Sequence, residues 1–234
     1  LVGAGLTLRT VWNLQNVPLG FDVDDVRMVS LDLRQMSLSE EEGWRIQRTL
    51  LDQLQEQPGI KVATLSQVTP FGMYRMANDI LWENGESDGS RNRTNVDLNA
   101  VGPGFFEALG IPIIEGRGFT RDDAPGTQGV AVVNRALAER LWPGESAVGK
   151  RLWTRSSSGP DREMEVVGMA ENGRYYRSWR RADRPFLFRA IAQDYASTAS
   201  LLVRTRPGWR RTDAELGGMV KEMVPGIPSP RATS

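Results

Sequence analysis

The chain has 234 residues, 40% of them hydrophobic, enough for one large domain or two small ones with a sizeable core. Its 29 basic and 29 acidic residues cancel, so no global field argues for nucleic acid as a partner. Cysteine and histidine are both absent, which removes thiolate chemistry, disulfides and cysteine zinc sites, and with them the commonest general base and metal ligand.

Leu1-Val-Gly-Ala-Gly-Leu-Thr-Leu8 is apolar until Arg9, far short of the roughly 20 residues that a spanning helix needs. It reads as the start of a short soluble helix or as the last turns of a membrane helix, and the apolar start without charge favours the second. Val11, Trp12, Leu14 and Val17 continue as a stalk until Pro18 and Gly20. Period-two patterning from Val26 to Gln35 predicts a half-buried strand. Ser39 with Glu42 then forms a capping box, and the helix it opens carries Trp44, Ile46, Leu50, Leu51 and Leu54 as one stripe, ended by Pro58-Gly59. Lys61 to Val68 returns as a strand, giving a split βαβ unit if the two strands share a sheet.

Ile80-Leu-Trp82 is a short strand, and Glu83 to Asn92 is a polar loop expected to be mobile. Thr94 to Val101 is again a strand, broken by Gly102-Pro103-Gly104. Phe105, Phe106 and Leu109 then fit a short helical turn, and Gly110 can close it in the left-handed conformation. Ile111-Pro112-Ile113-Ile114 is too apolar for a loop and reads as an edge strand, because proline denies the ladder one donor. Strands are predicted at 130–133, 150–154, 164–169, 185–191 and 198–205, with helices from Arg135 to Leu141 and from Asp213 to Val224. After the second helix a fourth strand of a repeated strand-helix unit should follow, yet Ile227 to Ser234 is broken by proline.

Four groups of residues could carry chemistry. Gly144-Glu-Ser-Ala-Val-Gly149-Lys150-Arg151 matches a phosphate-binding loop for seven positions, but arginine replaces the hydroxyl that would hold magnesium, and a helix-to-strand turn is the better reading. Glu115, Asp122 and Asp123 lack the regular spacing of a calcium loop. Glu163 and Glu165 share one strand face and, with Asp122, are the carboxylates on which an enzyme would have to rely. Arg174-Tyr-Tyr-Arg-Ser-Trp-Arg-Arg181 interleaves cations and aromatics as single-strand nucleic-acid surfaces do. The balanced charge favours instead a segment covering a seam, with its aromatics inward. Asn92-Arg-Thr94 fits a glycosylation sequon, meaningful only in a secretory host.

Several ordered segments together resemble a known family. They are Leu1 to Leu6, Asn13 to Phe21, Val101-Gly-Pro-Gly-Phe-Phe-Glu-Ala-Leu-Gly-Ile-Pro112 with Gly116-Arg-Gly-Phe119, Val132-Val-Asn134, Leu141-Trp-Pro-Gly144 with Val148-Gly-Lys-Arg151, and Glu165-Val-Val-Gly168. In this order they are similar to the MacB-like periplasmic core domain of FtsX-type ABC transporter permeases, especially the duplicated orphan permeases. The resemblance implies an α+β fold of two lobes: a porter-like lobe of split βαβ units from both ends of the chain, and a smaller strand-rich α/β lobe inserted between them. On that division residues 1–20 end the first membrane helix and form a stalk, 21–92 and 173–234 make the porter-like lobe, and 93–172 the inserted lobe.

The resemblance also implies a non-catalytic extracytoplasmic domain without cofactor or metal, in a bacterial inner-membrane protein. Its partners would be the permease's own transmembrane helices, a cytoplasmic ABC ATPase acting indirectly, a periplasmic protein or lipoprotein, and a second permease copy. Both chain ends should then lie on one side. The competing expectation is a soluble receptor with a deep, polar-lined ligand cleft between the lobes.

Overall fold

The structure, a computed structural model, describes residues 25–70, 72, 74–83, 91–155, 159–173, 175 and 184–227. The membrane-helix end and stalk expected in residues 1–20 lie outside the described residues, as does most of the polar loop after Glu83.

Strand β1 (Val26–Asp32) alternates as its sequence predicts, with Val29 and Leu31 buried and their neighbours half-buried. Ser39 opens helix α1 (Glu40–Gln55) through the expected capping box. Its hydroxyl accepts from the Glu42 amide at 3.3 Å, and the Glu42 carboxylate accepts from the Ser39 amide at 2.9 Å. The buried stripe of α1 is rotated from the expected one. Gly43, Gln47, Leu50 and Leu54 face inward, whereas Trp44 and Leu51 lie half-buried on the flank. Gly43 is the reason, since a Cβ there would sit 1.9 Å from the Tyr195 phenol oxygen; its absence lets Tyr195 lie against the helix. Gln47 tolerates burial because its Nε2 donates to the Ala196 carbonyl at 2.7 Å.

Strand β2 (Ile60–Ser66) follows α1. Strand β10 (Thr198–Thr205), from the far end of the chain, lies between β1 and β2 and runs antiparallel to both. β1 and β2 are therefore parallel and joined by α1, the split βαβ arrangement. Helix α4 (Asp213–Met223), opened by a second capping box at Thr212 and Glu215, packs beside α1 on the same face. Val29, Leu31, Ala63, Leu65, Leu201 and Val203 of the sheet meet Leu50, Leu54, Leu216 and Val220 of the helices in one core. Among the described residues no strand follows α4. The chain turns at Gly226 (φ 88°), buries Ile227, and the expected fourth strand lies outside the described residues.

The middle of the chain supplies β3 (Met76–Glu83), β4 (Arg91–Val101), β5 (Ile113–Gly116), β6 (Val130–Asn134), β7 (Arg151–Thr154), β8 (Arg162–Ala170) and β9 (Phe186–Ala190), with helices α2 (Phe105–Ala108) and α3 (Arg135–Leu141). β3 outruns its short apolar stretch because β4 pairs with it for eight residues, from Met76 opposite Leu98 to Glu83 opposite Arg91. The hydrogen-bonded order β4-β3-β7-β8-β6-β9 then returns to its start, because β9 pairs in parallel with β4 from Asp97 opposite Phe186 to Val101 opposite Ala190. Six strands thus close into a ring. Ile80, Val96, Leu98, Ala131, Val133, Leu152, Met164, Val166 and Leu187, drawn from all six, meet in one cluster, which in a closed ring can only be the interior. Among the described residues β5 pairs only with β8, the edge strand that Pro112 demands.

This α+β architecture joins ring and small sheet through a narrow contact. Ser66 of β2 is in register with Val101 of β4, and the flanking bonds run from Gln67 N–H to the Ala100 carbonyl and from Gly102 N–H to the Leu65 carbonyl, both 2.8 Å.

Candidate functional site

The break after β4 builds the seam. Gly104 adopts φ 79°, and a Cβ there would lie 2.8 Å from Val62, so the tight entry into α2 requires glycine. α2 ends in a Schellman motif: the Gly110 amide donates to the Glu107 carbonyl at 3.1 Å and the Ile111 amide to the Phe106 carbonyl at 2.8 Å, with Gly110 at φ 64°. The helix is wedged between the two halves of the sheet. Phe105, Phe106 and Leu109 share a cluster with Leu202 of β10 and with Phe186 and Phe188 on the outer face of the ring. Arg204 of β10 donates from Nε to the Ala108 carbonyl at 2.7 Å.

A buried polar knot lies beside it. Asn99 of β4, 4% exposed, accepts the Val68 amide at 2.8 Å and donates to Ser66 Oγ at 2.9 Å and to the Val68 carbonyl at 3.0 Å. Ser66 Oγ also donates to that carbonyl at 2.6 Å, and Thr69 and Ser200 hydroxyls share a bond of 2.5 Å. Asp97, two residues earlier and 2% exposed, is held by Arg75 and, at 3.6 Å, by Arg184. None of these was singled out from sequence. The available signal was polar residues lodged in a run as apolar as Leu98-Asn99-Ala100-Val101.

On the other side of the seam an open groove of about 610 Å³, mouth included, runs between α1 and the ring. Ala63 and Leu65 form its floor, and Trp44, Leu51, Pro103 and Ile191 its walls. Its apolar lining differs from the polar cleft that a soluble receptor leads one to expect.

The sequence-predicted chemical residues are dispersed. Glu163 pairs with Arg151 at 3.3 Å, and Glu165 accepts from Gln128 Nε2 at 2.8 Å. Asp122 is exposed, and Glu115 is engaged by the Ser146 hydroxyl. Asp123 is buried, gripped by both terminal nitrogens of Arg117 at 2.8 and 2.9 Å and by the Thr120 amide at 2.7 Å. Burial is the largest single influence on Asp123 and favours the neutral acid. The Arg117 hydrogen bonds, the Thr120 amide and the Arg117 charge together outweigh it and hold the carboxyl below its ordinary 3.8. Glu171 is lowered too, by its hydrogen bonds with Arg135 and then with the Asn172 amide. Among the described residues no three acidic side chains cluster as metal ligands would.

Gly144 to Arg151 is the helix-to-strand turn expected, with Gly144 at φ 78°, Gly149 at φ 83°, and Lys150 Nζ on Glu145 at 2.6 Å. Of the segment from Arg174 to Arg181 only Tyr175 is described. It points inward: its hydroxyl donates to the Glu171 carbonyl at 3.0 Å, and its ring lies 4.4 Å from Phe186. Burial, then the Glu171 charge, raises this phenol above its ordinary range. Asn92, of the sequon, is exposed at the start of β4.

This fold recurs in the extracytoplasmic parts of transporters. The periplasmic region of MacB from Actinobacillus actinomycetemcomitans superposes with a TM-score of 0.58 at 15% identity, over 90% of this chain and 89% of its own. The extracellular domain of the noncanonic ABC-type transporter YknZ from Gram-positive bacteria gives 0.55 at 14%, over 89% and 99%. At such identities the likeness establishes the fold. No curated protein matches the chain. The family model of the MacB-like periplasmic core domain matches residues 17–215, and the chain belongs to that family. Among the described residues no helix is long and apolar enough to cross a membrane.

Proposed function

We propose that the domain is a non-catalytic mechanical coupler on the periplasmic side of a bacterial inner membrane. It would link movements of the permease's transmembrane helices, driven indirectly by a cytoplasmic ABC ATPase, to a periplasmic partner protein or lipoprotein or to a second permease copy. The observation that carries this reading is the seam. Family membership supplies the setting, and the α2 wedge and the Asn99 knot bind sheet and ring tightly enough to transmit force as one body. No convergent set of acids or bases is needed for that work. A division into lobes along the hydrogen bonding is proposed with it, the porter-like part being β1, α1, β2, β10 and α4, and the inserted part β3 through β9.

Affinity capture on the full permease from a periplasmic extract tests the reading, with the 234-residue chain as competitor. A retained protein displaced by the chain supports a docking role, and retention of nothing overturns it. The reading also requires both ends of the chain to reach one side. α4 starts beside Arg27, where Asp213 lies 3.9 Å away, and the turn that follows it sets Gly226 next to Met36, beyond the far end of β1. Those two points are separated by the length of that seven-residue strand, roughly 23 Å at about 3.3 Å per residue. With no native cysteine to interfere, spin labels at Asp25→Cys and Ser234→Cys should lie within about 20 Å, and a separation well beyond the length of β1 refutes the arrangement.

A further inference from the structure

The flank of α1 that the core leaves uncovered carries more than packing. Trp44 and Leu51, two helical turns apart, face Pro103 and Ile191 across the groove, and the floor between them is closed by Ala63 and Leu65, 2% and 1% exposed. The groove is open along its mouth, so an occupant would lie against its apolar wall rather than be enclosed.

Charge at the rim is asymmetric. Arg121 is committed, its guanidinium lying 2.5 Å from Asp52 Oδ1 and donating to Gln55 Oε1 at 3.2 Å. Arg48 lies 5.4 Å from the centroid of the Trp44 ring and among the described residues pairs with no carboxylate. Its alkyl stem extends the apolar wall while its head offers donors at the mouth. With Arg121 offset by Asp52, a cationic ligand would meet the unpaired charge of Arg48, and a neutral one would leave it unused.

We propose that this groove binds a small amphipathic anion. The apolar body lies over β2 between Trp44 and Ile191, and a single carboxylate is held by Arg48. A saturated acyl carboxylate is the chemistry that meets both requirements. The site needs neither a partner protein nor ATP hydrolysis, so it stands or falls apart from the coupling role.

Calorimetric titration of the 234-residue chain with dodecanoate below its micellar concentration tests this. The expected result is one saturable site with a Kd of about 100 μM or tighter. Dodecyltrimethylammonium, with the same chain and opposite charge, should bind at least about tenfold more weakly, and Arg48→Glu should weaken dodecanoate by about tenfold. Leu51→Asp, which places a charge in the apolar wall, should abolish binding. Arg48 is exposed, so its variant keeps the question open to test even where Leu51→Asp fails to fold. Absence of saturable heat, equal affinity for the cationic amphiphile, or wild-type affinity in Arg48→Glu would each overturn the proposal.

Discussion

Replacing Asn99 by alanine tests whether the polar knot holds the seam. The side chain makes three hydrogen bonds at 2.8 to 3.0 Å while 4% exposed. Its removal leaves the Val68 amide without its acceptor in a dry site, whereas the Val68 carbonyl keeps the Ser66 hydroxyl at 2.6 Å. An unsatisfied buried donor costs about 1–3 kcal/mol, and the two lost donor bonds add roughly 1 kcal/mol each at most. A net loss of about 3 kcal/mol is expected, a large share of the roughly 5–15 kcal/mol that holds a domain together. For a chain of this size that lowers Tm by about 6–12 °C, read by circular dichroism against Asn92→Ala, an exposed control expected to stay within about 0.5 kcal/mol. A Tm within about 2 °C of wild type would refute the account, because it would mean that water enters the seam and replaces the side chain.

Gly168→Ala should cost about 3 kcal/mol or more, seen in urea melts, because its Cβ would lie 2.1 Å from the Arg117 carbonyl oxygen, where only backbone can yield. Phe106→Ala should cost about 3–5 kcal/mol, since its ring packs 5.0 Å from Phe188 and 5.5 Å from Phe105. Asp123 has its folded pKa depressed below 3.8, so between that value and the unfolded one the native state binds fewer protons. Its contribution is therefore complete above about pH 5 and is lost as pH falls through the folded pKa. Asp123→Asn should flatten the acid limb of a stability–pH profile below about pH 4, and an unchanged limb would show that Arg117 does not hold the charge.

Local punctuation made some elements legible and long-range pairing hid the others. The α2 turn could be read because Gly104 and Gly110 each impose a left-handed backbone geometry within a few residues. The capping box at Ser39 and Glu42 likewise declares itself inside one helical turn. Closure of the ring could not be read, because the parallel pairing of β4 with β9 joins Asp97 to Phe186 across a long stretch of intervening chain and leaves no local mark. Gln47, Asp97 and Asn99 escaped notice for a related reason. Polarity in a sequence suggests a wet face, and only the tertiary partners of these residues reveal that they are dry. The turn at Gly144 to Gly149 was legible as structure because its mechanism as a phosphate loop failed at Arg151.

The placement of β10 between β1 and β2 has a consequence for the order in which the molecule is made. Val26 finds its ladder partner in Arg204, and Val62 bonds to the other side of that same residue. β1 and β2 must therefore wait, their inner edges open, until all of the chain between β2 and β10 has been delivered. The early segment β1-α1-β2 is exposed to wrong pairing longer than any other part, which makes the charges along it, such as Arg27 and Lys61, guardians of the nascent chain as much as features of the finished surface.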